Sequence, residues 1–360
     1  MRRQVQLFSP IQVRDLVVKN RVWMAPMCMY SCEQRDGVVN QFHEVHYASR
    51  AYGGTGLIIV EATGILPEGR ITPWCAGIWN DEQVVAWRRV TDAIRAAGSH
   101  SAIQLAHAGR KASNHRMQSG SGSIAIEDGG WQTVSSTDVA FEGYAAPRAL
   151  TTLEVSELPA AFAAAADRSV RAGFDAIELH AAHGYLLHQF LSPITNQRDD
   201  EYGGTLENRA RLLLETVAAV RAAIPVGMPL MIRFSATDYR EDGWTEADTS
   251  LVCQRAAEEG ADVFDISSGG LVTGVKIPSG PGYQVPLSTY VSLRVDQPVT
   301  AVGQITTGAQ AQEILETTPI DVIMLGRALL RDPYWALRAA HELGQEVEWP
   351  VQYARGKWPS

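Results

Sequence analysis

One unit recurs along the chain and limits what it can fold into: an alanine-rich helical stretch, a glycine, and then a short apolar run. Residues 95–98 lead in this way into the run 101–105, and residues 170–173 lead into 175–179. Glycine just past the end of a helix stops it at low steric cost, and short links of this kind suit the βα units of a parallel sheet. The repeat therefore predicts alternating helices and parallel strands.

Eight apolar runs have the length of buried β-strands, and helical patterns separate them. The predicted strands are 21–26, 56–62, 100–105, 174–179, 229–235, 262–267, 298–302 and 320–325. The predicted helices are 42–52, 82–97, 156–172, 205–223, 246–259, 309–317 and 333–343. Eight alternating units without a domain break indicate an α/β fold, a (β/α)8 TIM barrel, as one domain over residues 1–360. The alternative is a doubly wound sheet, but no GxGxxG motif follows the first strand.

Local signals add detail to this barrel. Residues 7–18, before the first strand, are predicted to form a small hairpin that plugs the bottom of the barrel. Thr245 with Asp248 has the spacing of a helix capping box, and Ser156 is predicted to cap the helix that follows it. The long stretches 107–155 and 268–286 both follow strands, so we expect them on the catalytic face.

The composition limits the partners. The 360 residues carry a formal net charge of −9 at pH 7, and the pI is about 5.5, whereas nucleic-acid binding needs a basic patch. No segment approaches the roughly 18 apolar residues that a membrane helix needs. The four cysteines form neither a CxxC pair nor a disulfide framework. We therefore expect a cytoplasmic protein with a small-molecule substrate and with no nucleic-acid or membrane partner.

Three chemically active side chains follow the fourth predicted strand. His180, His183 and Tyr185 come directly after the run 174–179, and the catalytic groups of such barrels lie at the carboxyl ends of the strands. Two histidines can aim two N–H donors at one oxygen, and a phenol supplies a dissociable proton. This set suits the stabilisation of an enolate-like oxygen and the protonation of its carbon. Satisfied loop histidines or a zinc site are the alternatives.

The ends of other strands indicate a cofactor. Gln104 offers both amide polarities to the edge of a heterocycle, and Arg233 places positive charge beside an anionic ring. Gly303, Gly326 and Arg327 end the last two strands, where barrels commonly bind phosphate through backbone N–H groups and an arginine fork. Together they describe a phosphate-bearing, uracil-like cofactor, and flavin mononucleotide (FMN) fits this description better than a free sugar phosphate.

The chain resembles the old yellow enzymes, the FMN-dependent ene-reductases, and specifically their thermophilic-like bacterial branch. The resemblance extends from Leu7 to the carboxyl terminus. The motifs that carry it are NRVWMAPMCMY from Asn20, QLAHAGRK from Gln104, HAAHGYLLHQFLSP from His180, NQRDDEYGG from Asn196, VGQIT from Val302, LGR from Leu325 and QYARG from Gln352. A cysteine in the first motif with a tyrosine two residues later, here Cys28 and Tyr30, is typical of that branch.

The resemblance implies a set of site residues. The substrate carbonyl is expected between His180 and His183. Tyr185 is expected to donate the proton, and Tyr30 to line the pocket. Cys28 is expected to tune the flavin, since no base accompanies it that would make it a nucleophile. FMN is expected to contact Ala25, Pro26, Met27, Cys28, Ala62, Gln104, Arg233, Gly303, Gly326 and Arg327.

The resemblance also implies how subunits associate. In the matching branch an arginine of the C-terminal tail reaches the neighbouring subunit's active site, and Arg355 holds that position here. We therefore expect a homodimer or homotetramer in which Arg355, on a tail of residues 344–360, lines the partner's substrate pocket. The alternative is that this tail is a strap packed on its own barrel. Two departures are visible: Gln304 stands where glycine or leucine is common, and the residues after Arg355 leave the placement of Trp358 open.

These observations predict an FMN-dependent ene-reductase. NADPH or NADH reduces the tightly bound FMN, and hydride then passes from flavin N5 to the β-carbon of an α,β-unsaturated carbonyl compound. His180 and His183 stabilise the developing enolate, and Tyr185 protonates the α-carbon from the opposite face. The expected substrates are activated alkenes: enones, enals, maleimides and nitro compounds.

Other functions remain as alternatives. Metal-assisted hydrolysis would use His180, His183 and a carboxylate, whereas a flavin-binding redox sensor would use Cys28 without turnover. His43 and His46 resemble a zinc motif, but HExxH needs its second histidine one position later. No metal is therefore expected. Dienoyl reductases share the barrel but add iron–sulfur cysteines and further domains, which the four scattered cysteines disfavour.

Overall fold

The computed structural model describes residues 5–117 and 119–359. In this part of the chain the strands are β1 (Ile11–Val13), β2 (Leu16–Val18), β3 (Val22–Met24), β4 (Leu57–Gly64), β5 (His100–Ala106), β6 (Val134–Ser135), β7 (Arg148–Ala149), β8 (Ala176–Ala181), β9 (Leu230–Ser235), β10 (Val263–Ser267), β11 (Val299–Ala301) and β12 (Val322–Leu325). The α-helices are α1 (Gln41–Tyr52), α2 (Asp81–Ala96), α3 (Thr152–Arg171), α4 (Leu186–Leu191), α5 (Leu206–Ala223), α6 (Glu246–Glu258), α7 (Val285–Ser292), α8 (Gly308–Thr317), α9 (Arg327–Arg331) and α10 (Trp335–Glu342).

Eight parallel strands close into a barrel, in the order β3-β4-β5-β8-β9-β10-β11-β12. All eight were predicted, and each end lies within two residues of its predicted position. These strands read as continuous apolar runs because the interior of the barrel covers one of their faces and the surrounding helices cover the other. The predicted (β/α)8 TIM barrel is confirmed.

The hairpin at the start of the chain closes the bottom of the barrel. Strands β1 and β2 pair antiparallel, with Ile11 opposite Val18. Their buried side chains Ile11, Val13 and Val18 join one apolar cluster with the inward-facing residues at the amino ends of the barrel strands, among them Trp23 and Leu57. The predicted plug is therefore confirmed.

The start of α3 differs from the prediction. Ser156 does not cap this helix, because α3 already begins after Thr151. Thr151 and Glu154 form a reciprocal capping box there, which satisfies free N–H groups of the first turn. The helix therefore begins at Thr152, four residues before its predicted start at residue 156. Ser156 instead donates its hydroxyl to the Leu153 carbonyl at 2.7 Å. The capping box of Thr245 with Asp248 at the start of α6 is confirmed.

Two long connections lie at the carboxyl ends of the strands, as predicted. The first runs from β5 to α3 and contains the short parallel pair β6 and β7; the second runs from β10 to α7. The seven predicted helices do not include the short helices α4, α7 and α9, which have six, eight and five residues. Both connections border the site described next.

Candidate functional site

His180, His183 and Tyr185 meet at the carboxyl end of β8. The ring centroids of His180 and His183 are 5.2 Å apart, with their planes at 82°. The ring of Tyr185 lies 5.0 Å from that of His180. The three side chains that the sequence predicted to act together are therefore within reach of one small molecule.

Both histidines are neutral, and the hydrogen bonds of each ring decide which nitrogen carries the hydrogen. The backbone N–H of Ala182 donates to Nδ1 of His180 at 3.3 Å, which leaves the ring hydrogen on Nε2. In His183 the Nε2 atom lies 2.8 Å from the hydroxyl oxygen of Ser267. Burial is the main reason that the pKa of each imidazole lies well below its usual value, and the charge of Arg233 lowers both further. Neither ring carries a positive charge at neutral pH.

Tyr185 keeps its proton until a strong base appears. Burial raises the pKa of its phenol well above the ordinary value, and the neighbouring Cys28 raises it further. A phenol in this state does not ionise on its own at neutral pH, but it can donate to a carbanion-like carbon, which is a much stronger base.

The backbone at the site adopts uncommon conformations. His183 and Tyr30 have φ values of +57° and +51°, in the left-handed region that non-glycine residues rarely occupy. A Cβ atom on Gly270 would lie only 2.8 Å from the Cα of His183, so the loop after β10 packs backbone against backbone on the loop after β8. Such strain persists only where neighbouring contacts hold it, and it is frequent at functional sites.

Two polar side chains inside the barrel are oriented by buried acidic side chains. Gln104 donates from Nε2 to Glu178 at 2.8 Å, so its carbonyl oxygen is left to accept a hydrogen bond. Arg233 lies 3.0 Å from Asp265 on the adjacent strand β10. Asp265 is itself held by the hydroxyl of Thr300 at 2.6 Å. The amide and the guanidinium are thus fixed before any ligand arrives.

A cavity of about 370 Å³ lies beside these groups, at the ends of β11 and β12. Its walls include the predicted Arg233, Gly303, Gly326 and Arg327, and also Arg331. Gly303 has a φ of +123°, which favours glycine, and a Cβ there would press on the ring of Tyr283 at 3.1 Å. In the described residues, Arg327 and Arg331 form no ion pair with a carboxylate, so both are available to an anion.

These groups fit FMN. The acceptor oxygen of Gln104 suits a ring N–H, Arg233 suits an anionic ring, and the arginine-lined cavity suits a phosphate. At Gly326 an added Cβ would find its nearest neighbour in Met27 at 3.5 Å, which leaves room for a ligand along that strand end.

Cys28 and Tyr30 border the same region. Together with Tyr185 they pack against an apolar cluster that contains Ala62. Burial raises the pKa of the Cys28 thiol well above its ordinary value, so the thiolate needed for nucleophilic attack is disfavoured. Glu61, which precedes Ala62, accepts a hydrogen bond from the backbone N–H of Met29 at 3.1 Å and so holds the loop of Cys28.

Arg355 is not part of this cluster. It lies in an exposed 3-10 helix, Val351–Gly356, whose Tyr353 packs against Tyr52 at the end of α1. That end of α1 is at the amino ends of the strands, opposite to His180. Trp358 stacks on His341 with 5.3 Å between ring centroids, which gives its placement.

Several site residues were not predicted from the sequence. Lys111 bridges the loops after β8 and β10, Ser267 contacts His183, and the Gln284 carbonyl oxygen lies 3.3 Å from the Ser267 hydroxyl. Only Lys111 carried a signal, since it lies in one of the recognised motifs. The buried His188 supports the turn before Tyr185: its Nδ1 accepts from Gly184, and its Nε2 lies 3.0 Å from Asp238.

Two kinds of feature are absent from the part of the chain that the structure describes. Within residues 5–117 and 119–359, no group of three or more His, Cys, Asp or Glu side chains is placed to hold a metal ion. In the same part of the chain, none of the helices combines the length and the apolar character that crossing a membrane requires.

The barrel and the FMN-compatible site define a class, the flavin-dependent (β/α)8-barrel oxidoreductases. Residues 6–346 match the NADH:flavin oxidoreductase / NADH oxidase family, and the chain belongs to that family. The predicted FMN cofactor and nicotinamide hydride donor are thereby confirmed as those of the family.

Close relatives cover nearly the whole chain. The NADPH dehydrogenase of Geobacillus thermodenitrificans is 44% identical over 351 residues, which are 97% of this chain and 98% of the relative. The NADPH dehydrogenase of Bacillus subtilis is also 44% identical, over 98% of this chain and 99% of its own length. The predicted oxidoreductase activity is confirmed at this level.

Solved structures of old yellow enzyme relatives share the fold. Morphinone reductase in complex with tetrahydroNAD is 29% identical, with a TM-score of 0.78, over 96% of this chain and 92% of that chain. The old yellow enzyme homologue from Zymomonas mobilis is 29% identical, with a TM-score of 0.78, over 98% of both chains. The resemblance to the old yellow enzymes is confirmed.

Proposed function

We propose that this protein is an NADPH-dependent ene-reductase that reduces the carbon–carbon double bond of α,β-unsaturated carbonyl compounds. The observation that carries the proposal is the convergence of two neutral histidines and one protonated tyrosine beside the FMN-compatible cavity. Metal-assisted hydrolysis needs a carboxylate with the histidines, and the relatives named NADPH dehydrogenase favour redox chemistry instead.

We infer that FMN is held by residues from six strand ends. Gln104 accepts from the ring edge, Arg233 faces the ring's anionic side, and Gly303, Gly326 and Arg327 take the phosphate. The remaining contacts are proposed from Ala25, Pro26, Met27, Cys28 and Ala62. When bound there, the flavin would supply the redox chemistry, which is the transfer of hydride from NADPH to the β-carbon of the alkene.

The protein's own part is to bind and orient the carbonyl group. His180 offers its Nε2–H, and His183 offers an Nδ1–H when the Ser267 hydroxyl donates to its Nε2. Two neutral donors strengthen their hydrogen bonds as negative charge develops on the oxygen, so they stabilise the enolate more than the substrate. Tyr30, which packs against the same apolar cluster as Tyr185, lines the pocket.

Tyr185 completes the reaction. Its O–H bond breaks, a C–H bond forms at the α-carbon, and the phenolate is then reprotonated by water. The raised pKa of Tyr185 keeps the phenol protonated between turnovers.

The suitable substrates are activated alkenes: enones, enals, maleimides and nitro compounds. All four cysteines are free thiols, which suits a reducing cytoplasm.

We also propose an oligomer, a dimer or tetramer of chains with one FMN-binding domain each, in which Arg355 lines the partner's pocket. The tail is unusually apolar for an exposed segment: Val351 is 87% exposed, and Tyr353 and Trp358 are about 40% exposed. Exposed apolar side chains of this kind are typical of surfaces that a partner covers. Two-fold symmetry would make the exchange reciprocal.

The experiment is a spectrum of the purified protein followed by an assay. The protein is expected to be yellow with about one FMN per chain, and a phenol is expected to give a long-wavelength charge-transfer band. NADPH oxidation under anaerobic conditions should then depend on an enone. A protein that binds FMN but does not turn over an enone would support the redox-sensor alternative instead.

A further inference from the structure

Lys111 joins three loops of the site through one ammonium group. It ends the short 3-10 helix Gly109–Lys111 after β5. Its Nζ donates to the carbonyl oxygens of His183 and Gly270, each at 2.9 Å. These carbonyls belong to the loops after β8 and β10, so the side chain connects segments that are 72 and 159 residues away along the chain.

The same ammonium group lies against two aromatic rings. Nζ is 5.2 Å from the ring centroid of Tyr185 and 4.6 Å from that of Phe141. In the described residues Lys111 forms no ion pair with a carboxylate, so carbonyl dipoles and ring faces are its partners. Burial lowers the pKa of Lys111 to about 8, which leaves the group largely positive at neutral pH.

Lys111 also supports the strained backbone of His183. The φ of +57° at His183 requires contacts that hold it, and both of its backbone groups are bonded. Its N–H donates to the hydroxyl of Ser235 at 2.9 Å, and its carbonyl accepts from Lys111. Loss of the second bond frees one side of a turn that carries both His183 and Tyr185.

We propose that Lys111 is a positioning residue for proton delivery: its ammonium group fixes the turn of His183 and Tyr185 and stabilises the phenolate that Tyr185 becomes. The proposal rests on the ene-reductase function. The proton leaves the Tyr185 oxygen for the α-carbon, and water later restores it, while Lys111 keeps all of its protons. A cation beside the ring favours the phenolate by direct attraction.

Arg110 allows the two roles to be separated. It fastens loops by donating to the carbonyls of Val139, Ala140 and Leu271 at 3.1, 3.2 and 2.6 Å. Its guanidinium lies over the ring of Phe141, and within the described residues it forms no hydrogen bond with Tyr185. Lys19 is a second comparison, because it donates to the carbonyl of Gly98 at 2.6 Å at the opposite end of the barrel.

The experiment compares Lys111→Gln, which keeps N–H donors without the charge, with Lys111→Arg, which keeps the charge. Each FMN-loaded variant is reduced first and then mixed with an enone. We expect Lys111→Gln to slow enone reduction roughly tenfold and to enlarge its solvent deuterium isotope effect, because proton transfer becomes slower. Lys111→Arg should recover most of the rate. Flavin reduction by NADPH should change by less than about threefold, as should every rate in Lys19→Gln.

A double-mutant cycle with Tyr185→Phe tests whether Lys111 acts through Tyr185. If Lys111 acts through the tyrosine, Lys111→Gln adds little to the loss already caused by Tyr185→Phe. Equal losses in both backgrounds, or a loss in Arg110→Gln with the same enlarged isotope effect, would mean that loop fastening is the whole role and would overturn the inference. Wild-type behaviour of Lys111→Gln would overturn it too.

Two further measurements keep these outcomes interpretable. Melting temperatures of the FMN-free variants report folding, and the dissociation constant of a phenol reports the site without turnover; we expect Lys111→Gln to weaken phenol binding while melting close to wild type. If Lys111→Gln does not fold, the Lys111→Arg comparison still applies: an enlarged isotope effect despite the retained charge would overturn the inference. Failure of the ene-reductase function is distinct, since wild type itself would then not reduce enones.

Discussion

His183 and Ser267 share a hydrogen bond between the ends of two strands: Nε2 of the imidazole lies 2.8 Å from the serine hydroxyl. Ser267 has one hydroxyl hydrogen and a second neighbour, the Gln284 carbonyl oxygen at 3.3 Å. If Ser267 donates its hydrogen to Nε2 of His183, the imidazole carries its own hydrogen on Nδ1. If Ser267 donates to Gln284 instead, the imidazole carries its hydrogen on Nε2. A side chain outside the predicted set therefore controls the tautomer of a predicted donor.

Ser267→Ala is expected to weaken phenol binding and enone reduction by roughly 3- to 10-fold, the range for one lost neutral hydrogen bond. Ser268→Ala is the matched control, because Ser268 contacts Gln284 at 2.5 Å but not His183. Titrating a phenol into each protein measures the effect. Equal affinities for the Ser267 and Ser268 variants would show that the tautomer of His183 does not depend on Ser267.

Removal of the proposed oxyanion donors should be costly. His180→Ala or His183→Ala is expected to raise the barrier to enone reduction by roughly 2–4 kcal/mol, the scale for one lost donor. Flavin reduction by NADPH should suffer less. Tyr185→Phe should have a smaller, substrate-dependent effect, since water can partly replace the phenol. Stopped-flow rates of the two half-reactions provide the measurement, and normal enone turnover in the double histidine variant would refute the oxyanion role.

Arg327→Ala is expected to weaken FMN retention without unfolding the chain, because the guanidinium is exposed on the wall of the cavity rather than buried in the core. The dissociation constant of FMN, measured by fluorescence, should rise at least tenfold, since charge-assisted contacts to phosphate are strong. Arg294→Ala serves as the control, because Arg294 is an exposed arginine just after the end of α7. Unchanged FMN affinity in Arg327→Ala would mean that Arg327 does not bind the phosphate and would contradict the proposed phosphate site.

Stability should fall as the pH falls below about 6.5. Burial lowers the pKa of His107 to about 4 and that of His46 to about 3, and the pKa values of His180 and His183 are also lowered. The unfolded chain binds protons at these positions near pH 6.5 whereas the folded chain does not, so acid favours unfolding. Burial raises the pKa values of Glu178 and Asp321, which act in the opposite sense, but as two groups against four.

Urea unfolding at about pH 7.5, 6.5 and 5.5 tests this dependence. The free energy of unfolding should decrease at each step, and more gently in a His46→Gln chain, which has one buried imidazole fewer. A free energy that stays constant or increases over this range would contradict the expectation.

The tail prediction concerns Arg355. Truncation after Tyr353 is expected to alter enone kinetics, because the partner's pocket then lacks the arginine. Mixing the truncated chain with a His180→Ala, His183→Ala chain should restore activity, since the truncated chain's intact pocket receives the partner's Arg355. Light scattering gives the mass in parallel. A monomeric wild-type protein, or unchanged enone kinetics after truncation, would contradict the prediction that Arg355 lines the partner's pocket.

The barrel and the main donors follow from local patterns. Strands such as 56–62 and 229–235 were predicted because they are apolar along their whole length, a property that each segment carries by itself. His180, Gln104 and Arg233 were predicted at the site because the carboxyl ends of parallel strands meet at one face. This rule requires only the order of the strands along the chain, so the sequence is sufficient to predict which residues meet at that face.

Contacts between loops could not be predicted in this way. Lys111 meets Gly270 at a separation of 159 residues, and Ser267 meets His183 at a separation of 84. Loops have no periodicity, and the conformation of each depends on which backbone groups the others leave to be bonded. The sequence by itself determined the barrel, the cofactor class and the residues at the strand ends. Only the tertiary structure decided how the loops lock those residues, because hydrogen bonds between distant loops are made after the barrel has brought their ends together.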